Sequence, residues 1–250
     1  DNGEQAGKAL AATHIDSWEN GAQNWTPKMR GEFERLRGYD PLPWLPVMTG
    51  RVLGSLEQSE RFLWDLRQTV SDLIVENYAG HLRALAREHG LRLSIEAYGG
   101  PCDDMPYAGV CDEPMGEFWI GGSALTTCKE MASAAHTTGK NIIGAEAFTA
   151  GDRERWMEHP GSIKALGDRA FCAGINRFVF HRYAMQPWTD RAPGMTMGPW
   201  GIHYERTQTW WEETRDWHQY LARCQFMLRQ GRFAADICYL QPEASPQGYN

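Results

Sequence analysis

The sequence predicts an α/β fold built on a parallel sheet. Short apolar segments alternate with amphipathic helical segments along the chain, which is the pattern of repeated β/α units. Four strand-like segments also carry a glutamate near the C-terminal end, namely Glu19, Glu96, Glu117 and Glu146. Parallel strands direct their C-terminal ends to one face, so these carboxylates are expected to converge there. The 250 residues suffice for one large domain with a substantial core.

Helix and turn signals define the elements of the first part of the chain. Pro27 suits a first helical turn, and three prolines within 38–46 exclude a regular helix or a central strand there. Ser55 can cap a long apolar-striped helix that breaks near 78–80 and ends at Gly90. The expected elements are the end of a helix at 4–11, a strand at 13–18, a helix at 27–37, a rigid loop at 38–46, a helix at 55–89 and a strand at 91–97.

The second part of the chain repeats the alternation of strands and helices. The expected elements are the Glu117 strand, a helix at 126–138, the Glu146 strand, a helix at 160–173, a strand at 176–182 and a helix at 207–229. These strands predict a (β/α)8 TIM-type barrel of which about strands 4 to 8 are present. Residues 1–232 are then the rear part of a catalytic barrel. The apolar run at 235–240 predicts that 233–250 form a last strand or begin a further, truncated domain.

Charge and hydropathy exclude two classes of partner. The formal net charge of −7 argues against a nucleic-acid partner, which would require a basic face. No stretch of about 18 apolar residues is present, so no membrane span is expected. The 11 tryptophans are typical of sugar-binding surfaces, although burial in the core is the alternative for many of them.

The six cysteines show no metal-binding spacing. Cys102 and Cys111 bracket a loop of proline, aspartate and glycine and could form a disulfide in an oxidising compartment. Cys172, Cys224 and Cys238 lie in apolar contexts and are expected to be buried small hydrophobic residues.

Carboxylates beside aromatic rings indicate the cleavage of a sugar bond, in which two carboxyl groups act as acid and base and aromatic rings stack on the sugar. Glu19, between Trp18 and Asn20, suits a buried acid that keeps its proton against an apolar wall. Glu146 lies between two alanines, which leave room for a water molecule or a sugar. The structural alternatives are a loop or capping carboxylate for Glu19 and an ion-paired strand end for Glu146.

Glu96 and Glu117 have three possible roles. They can bind sugar hydroxyls beside Tyr98 and Trp119, supply oxygen ligands to a hard cation such as Ca²⁺, or pair with Arg182. The acidic run 102–105 resembles a metal-binding loop only faintly, and a solvated acidic turn is the better interpretation.

The segments after the last predicted strand offer further sugar-binding groups. His181 and Arg182 form a polar cluster at the strand end, where a core role for His181 is equally open. Trp200 lies in the loop 194–201, which is long enough to serve as a substrate-binding lid.

Seven motifs in order resemble glycoside hydrolase family 106, the α-L-rhamnosidases. The resemblance runs from about residue 10 to residue 240 and covers the rear part of the family's barrel. The motifs are DSWEN at 16–20, GYD at 38–40, IEAYG at 95–99, PMGEFW at 114–119, GAEAFT at 144–149, FHRY at 180–183 and MGPWG at 197–201.

The resemblance implies an inverting hydrolysis of terminal α-L-rhamnosyl residues of glycans or glycosides, with a bound calcium ion and a periplasmic or extracellular location. It implies that Glu19 is the general acid and Glu146 the base. Glu96 and Glu117 would hold the sugar or the metal. With the Glu19 strand as strand 4, Glu146 ends strand 7, and the N-terminal barrel strands belong to the remainder of the parent protein.

Two alternatives remain open on the sequence. One is a retaining glycosidase of the β-galactosidase-like 4/7 type, in which Glu146 is the nucleophile. The other is a catalytically inactive carbohydrate-binding fragment that uses the same aromatic and carboxylate groups. The anomer of the released sugar separates the first from an inverting enzyme, and binding without turnover identifies the second.

Overall fold

A computed structural model of the protein describes residues 3–21, 25–122, 124–191, 196–241 and 243. The chain divides into two compact units. The first comprises Asp1–Leu93, Ala97–Cys111 and Ile237–Asn250, and the second comprises Ser94–Glu96 and Asp112–Asp236.

The strands of the described residues follow the sequence prediction. One sheet has the strand order β1-β2-β3-β4-β5, and the pairs from β2 to β5 are parallel. The α/β class with a parallel sheet is therefore confirmed, while the closed eight-stranded barrel stays a prediction. The strands are Ala12–Ile15 (β1), Arg92–Glu96 (β2), Glu113–Trp119 (β3), Gly144–Thr149 (β4) and Arg177–Phe180 (β5).

The first unit is mainly helical. The Ser55 hydroxyl accepts the Gln58 N–H at 3.1 Å, so the predicted helix cap is confirmed. The predicted break near 78–80 is a π-helical turn, Ile74–Gly80, between two α-helices. The helices are Met29–Arg37 (α1), Leu56–Leu73 (α2), His81–Glu88 (α3) and Asp104–Val110 (α4).

Two segments of the first unit differ from the expectation. Leu42–Thr49 form a 3-10 helix where the prolines predicted an irregular loop. A proline ring fixes φ near the helical value, and a short 3-10 helix tolerates the missing N–H groups that would break a long α-helix. Near the N-terminus, Gly3–Gln5 form a 3-10 turn instead of the end of an α-helix. Phe33 and Phe62, with ring centroids 5.9 Å apart, anchor the core beside these segments.

The second unit packs helices against one face of strands β3 to β5. Its aromatic core contains Phe118 of β3, Phe148 of β4 and Phe178 of β5, and Phe178 stacks on Phe171 at 4.5 Å. At Gly116, an added Cβ atom would lie 2.8 Å from backbone atoms of Thr127 and Cys128, so the strand and the next helix are in close contact there. The helices are Thr126–Thr137 (α5), Pro160–Cys172 (α6) and Arg215–Leu228 (α7).

The C-terminal part departs from the prediction. Helix α7 begins at Arg215 instead of 207, because hydrogen bonds and turns hold 203–210 in a loop and Trp211–Thr214 form a 3-10 turn. The strand expected at 235–240 is not formed, and Tyr239 and Leu240 are exposed. Among the described residues this run makes no strand pairing.

The cysteines also correct the prediction. Cys102 and Cys111 are buried and form no disulfide with each other, and helix α4 occupies the segment between them. Cys172 and Cys238 are exposed and Cys224 is half-buried, so none of these three is the buried core residue that was expected.

Candidate active site

Three of the predicted glutamates share one face of the sheet in the second unit. Glu117 of β3 is the register partner of Glu146 of β4, and Glu96 of β2 is the partner of Met115, two residues before Glu117. Register partners on neighbouring strands point to the same face, and so do residues two apart on a strand. The helices and the aromatic core occupy the opposite face. These three carboxylates therefore share one face of the sheet, while their convergence on one substrate stays a prediction.

A β-bulge at the end of β4 shapes this face. The register shifts between Phe118 and Trp119, so that Trp119 is opposite Thr149 and Phe148 is the extra residue. Phe148 has a φ of +62°, an uncommon value for an aromatic residue, and its ring is fully buried in the helix-side core. Because of the bulge, Thr149 points to the same face as Glu117 and Glu146. Its hydroxyl donates a hydrogen bond to Oε1 of Glu146 there.

Glu146 has a second polar neighbour in His181, directly after β5. The distance from His181 Nδ1 to Oε1 of Glu146 is 3.5 Å, and each side chain is about four-fifths buried. Thr149 and His181 thus lie near the same carboxylate oxygen, and the hydrogen bond from Thr149 restrains its orientation. His181, a predicted sugar-binding residue, therefore lies next to Glu146.

Glu117 is joined to two tryptophans. The Trp119 indole donates to Oε2 of Glu117 at 2.8 Å, and the rings of Trp119 and Trp200 meet edge to face at 5.9 Å. Trp200 is 51% exposed, so an indole surface is open to solvent beside the carboxylate. The Thr127 hydroxyl bonds both the N–H and the carbonyl of Glu117, which anchors the strand end to α5. An exposed indole thus lies near a carboxylate that accepts hydrogen bonds.

Arg182 takes a different environment from the one considered in the sequence. Its guanidinium is buried, and the nearby carboxylates that act on it are Glu154 and Glu205 instead of Glu96 or Glu117. Its Nε donates to the carbonyl of Trp200 at 3.3 Å. Arg182 therefore holds the backbone of Trp200 through this hydrogen bond. Glu154 and Glu205 could not be recognised from the sequence, because they lie in loops without a periodic pattern.

The remaining predicted site residues belong to the first unit and follow the ends of β1 and β2. The Trp18 indole donates to the carbonyl of Gly21 at 2.6 Å and packs against Gly100 and the edge of Tyr78. Asn20 is exposed, and Tyr98 is half-buried directly after β2. Glu19 is exposed and accepts a hydrogen bond from Ser17 at 3.3 Å. The buried environment expected for Glu19 is therefore wrong for the described structure.

The acidic run at 102–105 is not the solvated turn that the sequence predicted. Asp103 caps helix α4 by accepting the Met105 N–H at 3.1 Å, and its own N–H donates to Ser71. Asp104 is 4% exposed and accepts the Gly99 N–H at 3.2 Å. Burial raises the pKa of Asp104 to about 7 despite this hydrogen bond, and the charge of Asp103 adds to the increase.

We expect Asp104 to make the stability of the fold depend on pH. Its pKa is about 7 in the folded chain against an ordinary 3.8, so the folded state holds the proton more tightly. Stability should fall as the pH rises from about 4 to 7 and level off above, by at most about 4 kcal/mol. Asp104→Asn should therefore stabilise the chain at pH 8 and change little at pH 4, measured as urea midpoints. Equal effects at the two pH values would contradict the buried, protonated carboxyl.

A parallel β/α sheet whose strand ends carry carboxylates beside an exposed indole can serve a glycoside hydrolase, in which two carboxyl groups act as acid and base. Within that class, the family model of the α-L-rhamnosidases, glycoside hydrolase family 106, matches residues 1–248. The chain belongs to this family.

Two known proteins are similar to nearly the whole chain. The structure of a rhamnosidase from Novosphingobium sp. PP1Y superposes with a TM-score of 0.89 at 37% identity, over 97% of this chain and 24% of that one. A protein of Formosa agariphila named "Putative beta-glucuronidase" is 43% identical over 245 residues, which are 98% of this chain and 21% of the relative. The chain therefore spans about a fifth to a quarter of the length of these proteins. None of the described helices is long and apolar enough to cross a membrane.

Proposed function

We propose that this chain carries the acid and the base of an α-L-rhamnosidase that hydrolyses terminal α-L-rhamnosyl residues with inversion. The observation that carries the proposal is the shared face of Glu96, Glu117 and Glu146 at the ends of parallel strands, beside the exposed indole of Trp200. Membership of the α-L-rhamnosidase family supports the choice of sugar. In this proposal β1 to β5 are strands 4 to 8 of a (β/α)8 barrel in an exported enzyme.

Glu146 is proposed as the general base. The Thr149 hydroxyl donates a hydrogen bond to its Oε1, which restrains the direction of the carboxylate while it takes a proton from water, and His181 Nδ1 lies 3.5 Å from the same oxygen. That water attacks the anomeric carbon from the side opposite the leaving group, and the configuration inverts.

Glu19 is proposed as the general acid, which protonates the glycosidic oxygen as the bond to the anomeric carbon breaks. Its exposed position after β1 is accessible to a leaving group. An inverting mechanism requires the two carboxyl groups to stand about 6.5–9.5 Å apart, because a water molecule must fit between the base and the sugar. A retaining enzyme requires about 5–5.5 Å.

Trp119, Trp200, Glu96 and Glu117 are proposed to hold the sugar. The indole of Trp200 offers a flat apolar surface, and the carboxylates accept hydrogen bonds from hydroxyl groups. The family implies a calcium ion, for which we propose Glu96 and Glu117 as ligands, because carboxylate oxygens suit Ca²⁺ and these two side chains share one face of neighbouring strands. When bound there, the ion would neutralise charge and bind sugar hydroxyls.

The name of the Formosa agariphila relative makes a β-glucuronide the competing substrate. A glucuronide carries a carboxylate, which the three glutamates would repel. Arg182 is the cation directly after β5, but its charge already faces Glu154 and Glu205. A neutral deoxy sugar such as rhamnose therefore suits this face better than an acidic one.

The test is to incubate the chain with an aryl α-L-rhamnoside, with and without Ca²⁺, and to follow the released sugar by NMR. We expect β-L-rhamnose as the first product. Release of α-L-rhamnose would make Glu146 a nucleophile in a retaining enzyme. Hydrolysis of an aryl β-glucuronide in place of the rhamnoside would overturn the substrate. Binding of rhamnose without any release would identify a carbohydrate-binding module.

A further inference from the structure

A buried carboxylate in the second unit connects two loops at the site. Glu154 lies in the loop between β4 and α6, and its side chain is 2% exposed. Its carboxylate accepts the Trp156 N–H at 2.8 Å and the His203 N–H at 3.2 Å, and Oε2 lies 2.5 Å from the His203 Nδ1. His203 belongs to the loop after β5, 49 residues further along the chain. One carboxylate thus ties the two loops together.

The His203 ring is enclosed on its other sides. It stacks on the indole of Trp156, with ring centroids 3.6 Å apart and planes inclined by 24°. Its Nε2 is buried and has no hydrogen-bond partner among the described residues. Apolar residues of similar volume usually stabilise a core as well as a buried ionic or polar pair does. The Glu154–His203 pair is therefore better explained by its directional hydrogen bonds, which fix how the two loops are oriented.

The loop that holds His203 also presents Trp200. The Gly201 N–H donates to the carbonyl of Ala150 at 2.7 Å, and the Ile202 N–H donates to the carbonyl of His181 at 2.9 Å. A Cβ atom on Gly201 would lie 3.0 Å from that His181 carbonyl oxygen, so the backbones are in close contact. The segment 200–203 is thus fixed at its end by Glu154 and in its middle by the strand ends.

We propose that Glu154 and His203 are positioning residues that fix the Trp200 indole against Trp119, beside Glu117. The proposal rests on the proposed hydrolysis of rhamnosides and adds residues that touch neither the sugar nor water. Without the pair, the segment carrying Trp200 loses its attachment at His203 and keeps the backbone hydrogen bonds of Gly201 and Ile202. The indole then spends less time in the orientation that binds the sugar, and a displacement of about 1 Å is enough to cost up to about 100-fold.

A double-mutant cycle tests the connection to Trp200. Glu154→Gln should raise the KM for an aryl α-L-rhamnoside about tenfold or more, with a smaller change in kcat. Trp200→Ala should raise KM at least as much, and the double variant should be no worse than Trp200→Ala, because coupled residues do not act additively. His203→Asn keeps an N–H near the position of Nδ1 and should recover part of the loss of His203→Ala. Additive effects, or a loss confined to kcat, would overturn the proposal.

A second measurement does not depend on hydrolysis. In a chain labelled with 5-fluorotryptophan, the Trp200 resonance is assigned with Trp200→Phe. We expect Glu154→Gln to shift or broaden this ¹⁹F resonance, while the exposed matched control Asp152→Asn leaves it unchanged. An unchanged Trp200 resonance in folded Glu154→Gln would overturn the positioning role even if no rhamnoside is cleaved. A wild-type chain that neither binds nor cleaves rhamnosides would contradict the proposed function alone.

Discussion

Glu146→Gln is expected to lower kcat for an aryl α-L-rhamnoside by about 10²- to 10⁴-fold, which is the usual contribution of a positioned general base. The amide keeps the shape of the carboxylate and can still accept the Thr149 hydroxyl, so the site should stay assembled. Rhamnose affinity should be nearly unchanged, because the change removes only a proton acceptor. Steady-state kinetics and calorimetric titration with rhamnose measure the two quantities.

The matched control for this change is Glu212→Gln, an exposed glutamate of the same unit outside the site. It should keep full activity. If Glu146→Gln retained wild-type kcat, Glu146 would not be the base, and the assignment of the reaction to the β4 strand end would fail. A parallel loss of rhamnose affinity would instead show that Glu146 serves mainly to bind the sugar.

The substitution Gly116→Ala is expected to lower the stability of the fold, and this is the second large effect. The added Cβ atom would lie 2.8 Å from the nitrogen of Cys128 and from the carbonyl carbon of Thr127. Both are backbone atoms at the start of α5, so no side-chain rotation relieves the contact. Overpacking of this kind costs about 1–3 kcal/mol, and occasionally more. In a chain of this size each kcal/mol lowers the thermal midpoint by about 2–4 °C.

Gly31→Ala is the matched control for this substitution. Gly31 lies in helix α1 with open space around its Cβ position, and alanine there should stabilise the chain by about 0.5–1 kcal/mol. The same glycine-to-alanine change is thus expected to lower the thermal midpoint at Gly116 and to raise it at Gly31, and calorimetry measures both. Activity should fall with Gly116→Ala as well, since a displaced α5 moves Thr127 and with it the backbone of Glu117. An unchanged midpoint would contradict the close contact between β3 and α5.

The fold could be predicted where local sequence signals decide the structure. Strand–helix alternation placed every strand from β1 to β5, and Ser55 marked the start of α2. The shared face of Glu117 and Glu146 followed from their positions near the ends of parallel strands. These features depend on residues that are close to one another along the chain, so they can be recognised in a single sequence.

Features that depend on distant partners could not be predicted. Glu154 and His203 lie in loops and meet across 49 residues, so neither periodicity nor a motif indicated the pair. The environment of Glu19 was predicted from its flanking Trp18, whose ring turns to Gly100 and Tyr78 instead. The long helix expected from 207 was shortened by the contacts of the preceding loop.

The bulge at Phe148 has a consequence for anyone who redesigns this strand end. Up to Ala147, odd and even positions of β4 alternate between the two sides of the sheet, and beyond Phe148 the parity is reversed. Suppose that a foreign loop is aligned by counting residues from Gly144 as in a regular strand. The residue placed at position 149 would then point toward the helices, and Glu146 would lose its hydroxyl partner. Loop exchanges at this position must therefore be counted from Thr149 forward.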